Sequence, residues 1–267
     1  MKLSKLPIGI FDSGIGGLTV YKAVKEMLPE ERLIYFGDTA RVPYGNKTRE
    51  AVRAFACEIS QYLLSRKVKM LVIACNTATS LALDSIRGLT PLPVLGVIEP
   101  GVRAALDITP RGGKVLVIGT KATVSSGAYS MALKIKDPSV TVREQACPLF
   151  VPIVEEGWSR KPFAVGVAEE YLGCFRKDRF DSIILGCTHY PLLKETVAWV
   201  MGPEVKIINS ALAAAQAVKR ELEEQNLLSD SAEGGDEFIV SDGPEKFSEV
   251  AMKLLGIKTG EVIVKRF

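Results

Sequence analysis

The stretches LVIACNT, residues 71–77, and IILGCTH, residues 183–189, decide the fold of this chain. Each is an apolar run of strand type that ends in a cysteine followed by amide, hydroxyl or imidazole side chains. An apolar strand at 8–12 precedes the first stretch, and a similar strand at 115–119 precedes the second at nearly the same separation. This internal repeat predicts two related domains.

Short β-rich runs alternate with helical patterns along most of the chain, which is typical of βαβ units and parallel sheets. We therefore predict an α/β fold with two pseudosymmetric domains, each a mostly parallel sheet flanked by helices, and an active site in the cleft between them. One helix is predicted near 126–135, and the acidic end of 148–158 reads as a solvated turn. The strand-helix-strand tail beyond residue 238 could extend either sheet.

Composition excludes several classes of protein. The chain has 267 residues, of which 47% are hydrophobic and 24% charged, as in an ordinary globular protein. A net charge of +3 is too small to indicate nucleic-acid binding. Because the chain shows neither a signal-peptide core nor an apolar run of membrane-spanning length, we expect a cytoplasmic protein that contacts no membrane.

Ligands of open parallel sheets bind at the carboxyl ends of the strands. The polar and thiol side chains that fall at such ends are Asp12, Ser13, Cys75, Asn76, Thr77, Thr120, Cys187, Thr188 and His189. If the two domains face each other, the two strand-end cysteines can approach one ligand from opposite sides.

The cysteines have a simple alternative reading, because a free cysteine at a strand end is often buried and inert. Two features favour reactivity. Cys75 precedes a helix N-terminus, which is expected to lower the pKa of its thiol. Cys187 lies two residues before His189, the only histidine of the chain, which can relay a proton or lower the thiol pKa.

Three further segments allow two readings each. Asp12 is either a helix cap or a site residue, and the glycines of 12–18 match no nucleotide-binding motif, so they are expected to let the backbone approach a ligand closely. The Pro43-Tyr44-Gly45 segment is a turn or a substrate loop. The Glu155-Glu156 pair is a solvated turn or carries a carboxylate that orients His189.

Two thiols on opposite sides of one ligand, with no metal-ligand spacing, indicate proton transfer at carbon. One thiolate can remove a proton from one face of a carbon acid while the other thiol delivers a proton to the opposite face. Backbone amides and hydroxyls around the site can stabilise the enolate-like charge. The result is inversion of configuration.

Four segments in this order resemble the glutamate racemases, within the cofactor-independent aspartate/glutamate racemase family. They are DSGIGGL at 12–18, PYG at 43–45, ACNTA at 74–78 and LGCTHYP at 185–191. The likeness covers essentially the whole chain. It implies a first domain of residues 1–97 plus 210–267 and a second of 98–209, no cofactor, no metal, glutamate as substrate and D-glutamate for peptidoglycan as product.

The resemblance also implies roles for individual residues. Cys75 and Cys187 would be the two acid/base groups, with Asp12 supporting the first, and with His189 and Glu155 supporting the second. The substrate contacts it implies are Asp12, Ser13, Tyr44, Gly45, Asn76, Thr77, Thr188 and His189, with Thr120 and Thr123 as additions. A homodimer is expected, and His189 favours glutamate, because aspartate racemases usually carry a glutamate there.

Three rival functions remain open from the sequence. A related two-thiol enzyme could act on aspartate, a hydantoin or another carbon acid. A two-domain binding protein could hold an amino acid without converting it. Cys75, Cys187 and His189 could bind a metal, although the chain offers one imidazole and no paired ligand spacing.

Overall fold

Two parallel sheets flanked by helices form the protein in a computed structural model, which describes residues 2–231 and 234–267. The strands are β1 (Ile8–Asp12), β2 (Leu33–Gly37), β3 (Met70–Ile73), β4 (Val94–Gly96), β5 (Lys114–Gly119), β6 (Thr141–Ala146), β7 (Ser182–Gly186), β8 (Lys206–Ile208), β9 (Glu237–Val240) and β10 (Val262–Val264). The α-helices are α1 (Leu18–Met27), α2 (Arg49–Ser65), α3 (Asn76–Arg87), α4 (Ile98–Leu106), α5 (Lys121–Ser126), α6 (Ala128–Lys136), α7 (Phe150–Glu155), α8 (Pro162–Leu172), α9 (Lys194–Met201), α10 (Ser210–Glu224) and α11 (Pro244–Leu255).

The strand orders confirm the internal repeat. The six-stranded sheet runs β10-β9-β2-β1-β3-β4 and the four-stranded sheet runs β6-β5-β7-β8. The second order repeats β2-β1-β3-β4 strand for strand, and every pairing among the described residues is parallel. The tail joins the six-stranded sheet, because β9 pairs with β2 and β10 with β9.

Burial explains why these runs form central strands. All residues of β1, β2, β3 and β7 are buried, as expected for parallel strands with helices on both faces. Separate apolar clusters cover the two faces of each sheet. At about 25 cal/mol per Å² of apolar surface, this burial dominates the stability of the fold.

Parallel register brings the functional strand ends to one edge of each sheet. Ile10 lies opposite Val72 in the first sheet, and Val117 lies opposite Ile184 in the second. The loop after β1 therefore neighbours the segment after β3, which consists of Ala74 and Cys75. The loop after β5 neighbours the loop after β7 in the same way, and that loop begins with Cys187.

Local structure departs from the sequence prediction in two places. The helix predicted near 126–135 corresponds to α6, but the sequence analysis did not predict α5, which Gly127 separates from α6 by adopting a left-handed conformation (φ 63°). The segment 148–158, whose acidic end was expected to be a solvated turn, contains the helix α7, which ends at Glu155. Pro152 falls in its first turn, where a missing backbone N–H costs no hydrogen bond.

No helix within the described ranges combines the length and apolar character that crossing a membrane requires.

Candidate active site

Cys75 joins β3 to α3 and caps that helix. Its backbone is extended, and its Sγ accepts a hydrogen bond from the Ala78 N–H at 3.4 Å. The Sγ also lies 3.6 Å from the Ser13 hydroxyl oxygen, so the loops after β1 and β3 meet at this sulfur. The thiol is 5% exposed.

The environment of Cys75 corrects the expected direction of its pKa. Burial and the charge of Asp12 raise the pKa of the thiol to about 12. The Ala78 N–H and the Ser13 hydroxyl act in the opposite direction but are outweighed. The helix N-terminus was expected to lower this pKa. That expectation is wrong, because the loss of hydration on burial exceeds the gain from the Ala78 N–H and the Ser13 hydroxyl.

Cys187 directly follows β7 and lies beside the imidazole of His189. Its Sγ is 3.8 Å from His189 Nδ1, and His189 Nε2 is 3.1 Å from Glu155 Oε1. The three side chains form a chain of contacts that ends on α7, so Glu155 is the member of the acidic pair that faces the histidine. A short 3-10 turn (Tyr190–Leu193) follows this thiol where an α-helix follows Cys75.

His189 and Glu155 each stabilise the charged form of the other. Burial alone lowers the pKa of His189, but its hydrogen bonds and charge interactions with Cys187 and Glu155 raise it to about 10. For Glu155 the effects have opposite signs: burial raises the pKa of the carboxyl, but His189 and the more distant Lys246 lower it, and the resulting pKa is below the ordinary value. At neutral pH an imidazolium therefore lies between the Glu155 carboxylate and the Cys187 sulfur.

Asp12 lies behind the cavity that the two thiols share. Its carboxylate accepts from the Gly14 N–H at 3.0 Å and from the Thr188 hydroxyl at 3.3 Å, and it is fully buried. Burial raises its pKa, although His189 and the backbone N–H groups of Gly14 and Gly17 oppose the shift. Asp12 thus joins the loop after β1 to the residue that follows Cys187.

The side chains after Cys75 contact the opposite half of the molecule. Thr77 Oγ1 lies 2.9 Å from Thr120 Oγ1 and 3.2 Å from Thr123 Oγ1. Asn76 Oδ1 accepts a hydrogen bond of 2.6 Å from the Tyr129 hydroxyl. The Asn76 amide nitrogen is buried and has no hydrogen-bond partner among the described residues.

One cavity of about 40 Å³ receives most of the predicted site residues. Its lining includes Ser13, Tyr44, Gly45, Cys75, Asn76, Thr77, Thr120, Glu155, Cys187, Thr188 and His189. Asp12 and Thr123 lie just outside the lining. The Tyr44 hydroxyl points away to bond the buried carboxylate of Asp38, so only the ring and backbone of Tyr44 face the cavity.

The glycines after β1 allow the two halves of the site to approach each other. A Cβ on Gly16 would lie 2.4 Å from both His189 Nδ1 and Thr188 Oγ1, and one on Gly17 would lie 2.3 Å from the Asp12 Cβ. No side chain fits at either position. Gly16 therefore approaches the second half of the site and Gly17 packs on Asp12, whereas the close approach to a ligand stays a prediction.

Two residues in this neighbourhood escaped the sequence analysis. Asp38 anchors the loop that carries Tyr44, since it accepts from Tyr44, Arg41 and Ser241. Its position directly after β2 was the available signal. Tyr129 lies within a helical apolar pattern, and nothing in the sequence separates it from a core tyrosine.

The described residues contain no group of three or more His, Cys, Asp or Glu side chains arranged to hold a metal ion. The polar groups of the cavity lining are hydroxyls, the Asn76 amide, the two thiols, the His189 imidazole and the Glu155 carboxylate.

Comparison with known proteins extends these observations to a family. Residues 8–218 match the model of the Asp/Glu/Hydantoin racemase family. A glutamate racemase of Geobacter metallireducens is 48% identical over 256 residues, which cover 96% of this chain and 94% of the relative.

Solved structures agree with the sequence match. A glutamate racemase isoform of Bacillus anthracis superposes with a TM-score of 0.95 at 35% identity, covering 99% of this chain and 98% of the other. The Francisella tularensis glutamate racemase, solved in complex with D-glutamate, gives a TM-score of 0.92 at 38% identity, with 98% of each chain covered. The chain belongs to the Asp/Glu/Hydantoin racemase family.

Proposed function

We propose that this chain interconverts L- and D-glutamate by moving the Cα proton between the substrate and two cysteines, without a cofactor. The observation that carries the proposal is the meeting of Cys75 and Cys187, from repeat-equivalent strand ends, in one cavity. Relatives that match over nearly the whole chain are glutamate racemases, which supports glutamate as the substrate.

The electrostatics favour one starting form of the pair. Cys75 carries its proton, because burial raises the pKa of its thiol to about 12. In the proposed cycle Cys187 is the first base, because the His189 imidazole ring nitrogen Nδ1 lies 3.8 Å from its sulfur. This form takes a proton from the substrate enantiomer whose Cα–H bond points toward Cys187.

The proton balance then follows in two steps. The Cys187 thiolate removes the Cα proton and leaves an enolate-like carbanion, while Cys75 delivers its proton to the opposite face. The product has the inverted configuration, Cys187 is a thiol and Cys75 is a thiolate. The Ala78 N–H, 3.4 Å from that sulfur, stabilises the new thiolate until the reverse reaction or exchange with solvent restores the first form.

The polar lining matches the charges of glutamate. Asn76 Nδ2 is a buried donor without an acceptor among the described residues, and Thr77, Thr188 and Ser13 add hydroxyls around the cavity. We infer that these groups bind the substrate carboxylates. Asp12 acts from behind the cavity, where it fixes Thr188 and the glycine loop.

Substrate entry requires the site to open. Cys75, Cys187 and His189 are only 5%, 6% and 6% exposed, so the surrounding parts of the protein must move before an amino acid can reach them. We propose two domains that move apart, residues 1–97 plus 210–267 and residues 98–209. Cys75 belongs to the first domain and Cys187 to the second, so closure assembles the pair of bases.

The alternative is a two-thiol racemase acting on aspartate or another carbon acid, since the family model includes aspartate and hydantoin racemases. The expected role in supplying D-glutamate for peptidoglycan belongs to the same proposal. The homodimer and the cytoplasmic location stay predictions.

One experiment tests the proposal directly. The protein is incubated with L-glutamate in D2O with a chelator and without pyridoxal phosphate, and optical rotation and deuterium at Cα are followed. We expect loss of rotation with deuterium incorporation, and much slower change with L-aspartate. Faster turnover of L-aspartate would favour the alternative, and no turnover of either would contradict racemisation.

A further inference from the structure

Tyr129 reaches across the molecule to the neighbour of Cys75. It lies on α6, in the half of the molecule that carries Cys187, and is fully buried. Its hydroxyl donates to Asn76 Oδ1 at 2.6 Å. Asn76 in turn begins α3, immediately after Cys75, so this hydrogen bond joins the two halves of the site.

The hydrogen bond from Tyr129 engages only the oxygen of the Asn76 amide, so the amide nitrogen remains available to a ligand in the cavity. Oδ1 is occupied by Tyr129, whereas Nδ2 is buried and has no acceptor within the described part of the chain. Asn76 is 2% exposed and lines the cavity between the thiols. A buried donor without an acceptor destabilises the protein. A ligand that supplies an acceptor oxygen to Nδ2 would remove this penalty and bind more tightly.

Orientation matters because the two ends of an amide have opposite hydrogen-bonding character. Nδ2 donates to a carboxylate, whereas Oδ1 in the same place would repel it. Burial and the charges of Cys187 and Glu144 raise the pKa of Tyr129, so the phenol keeps the proton that it donates. A protonated hydroxyl directed at Oδ1 holds Nδ2 toward the cavity.

We propose that Tyr129 is a positioning residue that fixes the Asn76 amide with its N–H groups toward a carboxylate of the substrate. The inference rests on the proposed function, since it names what holds one substrate contact of that site. Tyr129 has no contact with the reacting carbon in this assignment and acts through Asn76.

The packing around Tyr129 explains how its hydroxyl is held in place. A Cβ on Gly186 would lie 3.1 Å from the Tyr129 ring, and one on Gly101 would lie 3.5 Å from its hydroxyl. Both glycines leave room for the ring, and Gly186 directly precedes Cys187. Tyr129 therefore packs against Gly186, next to Cys187, and bonds Asn76, next to Cys75. When the two halves of the site close, this contact also fixes the orientation of the Asn76 amide.

The first test removes only the hydroxyl. Tyr129→Phe is expected to raise KM for glutamate about threefold to tenfold, the range of one net hydrogen bond, while kcat changes less than twofold. Tyr21→Phe is the matched control, because the Tyr21 hydroxyl donates to Asp236 at 2.7 Å and lines no part of the cavity. Both variants lose one hydrogen bond and some thermal stability, but Tyr21→Phe should leave KM unchanged.

A double-mutant cycle separates positioning from general stability. Asn76→Ala is expected to raise KM by itself, and adding Tyr129→Phe should then raise it no further, because the residue through which Tyr129 acts is gone. Fully additive effects would overturn the inference. So would an unchanged KM in Tyr129→Phe.

A second variant leaves Tyr129 intact and serves also if Tyr129→Phe does not fold. Asn76→Asp keeps an oxygen for the Tyr129 hydroxyl but replaces the donor with a second oxygen. KM should rise more than in Asn76→Ala, and an equal or smaller rise would contradict the required donor. If the wild type racemises glutamate and only these variants fail the test, the role of Tyr129 fails alone. If the wild type does not act on glutamate, the proposed function fails.

Discussion

The two thiols occupy equivalent places in the repeated sheet order but have different neighbours. Cys75 caps a helix of twelve residues, and its sulfur has a backbone N–H and a hydroxyl nearby. Cys187 is followed by a 3-10 turn and lies beside an imidazole that a carboxylate holds. The repeat thus places the two cysteines at equivalent positions. The charged side chains that make their surroundings different, His189 and Glu155, have no counterpart beside Cys75 in the contacts described above.

This difference in surroundings suits the proposed reaction, in which one sulfur carries a proton while the other does not, and the two exchange these states in each turnover. With equal surroundings, two buried thiols would both stay protonated, because burial opposes both charges. A positive charge beside only one of them makes the two protonation states of the pair distinct. In the proposed mechanism, this asymmetry defines a form that accepts a proton from one enantiomer.

Removing either thiol should have the largest effect. Cys75→Ala and Cys187→Ala are each expected to lower kcat by about 10²- to 10⁴-fold, the usual contribution of a general acid or base. In D2O each variant should still exchange the Cα proton of one enantiomer without inversion, because one base remains. Chiral chromatography with mass spectrometry measures both. Exchange of both enantiomers by a single variant would break the assignment of one face to each sulfur.

Replacing the imidazole tests the origin of the asymmetry. His189→Asn should lower kcat/KM by about 10²-fold, because the thiolate at Cys187 loses the charge that stabilises it. Since the enantiomers of glutamate are equally stable in water, kcat/KM must fall equally in both directions. The asymmetry should appear in Cα exchange, with the greater loss for the enantiomer that Cys187 deprotonates. An equal loss of exchange for both enantiomers would contradict it.

The contact between the glycine loop and the imidazole can be broken from the first half of the site. In Gly16→Ala the new Cβ would overlap His189 and Thr188, so we expect a loss of about 1–3 kcal/mol in the free energy of unfolding and lower activity. Urea unfolding and initial rates measure the two. Gly166→Ala is the control, because a Cβ at that position on α8 meets nothing within 4 Å and an alanine favours the helix. Similar losses in both variants would show that the contact is unimportant.

The smallest effect is expected from the carboxylate behind the imidazole. Glu155→Gln removes one of the two groups that raise the pKa of His189, so that pKa should fall from about 10, and the imidazolium should be lost at lower pH than in the wild type. Rates should drop only a few-fold, since Cys187 remains beside the ring. NMR titration gives an unambiguous result because the chain has one histidine.

The neighbouring residue provides the matched control for that titration. Glu156 is exposed on the same turn, and Glu156→Gln should leave the His189 titration unchanged. If the two substitutions shift it equally, the effect is one of net charge and the specific contact is unnecessary.

The sequence predicted the architecture because the relevant signals are local. Short apolar runs mark the strands, and a cysteine lies within two residues of the end of β3 and of β7, so aligning the repeats located both halves of the site. The same alignment could not determine the pKa of Cys75, because burial depends on how completely the two halves close over the sulfur.

Long-range partners were the other missing information. The Tyr129 hydroxyl meets Asn76 at a separation of 53 residues, and no pattern around either residue points to the other. The helix α7 was missed because Pro152 and the acidic pair are typical of turns, whereas the structure uses that helix to bring Glu155 to His189.

The interleaved sheet order has a consequence for synthesis on the ribosome. The four-stranded sheet is complete once residue 208 has been made, but β2 has no neighbour on its outer edge until β9 has emerged at residues 237–240. An unpaired, apolar strand edge invites wrong pairing with other chains. The nascent chain therefore carries an aggregation-prone edge through most of its translation, and a truncation before residue 237 would make that vulnerability permanent.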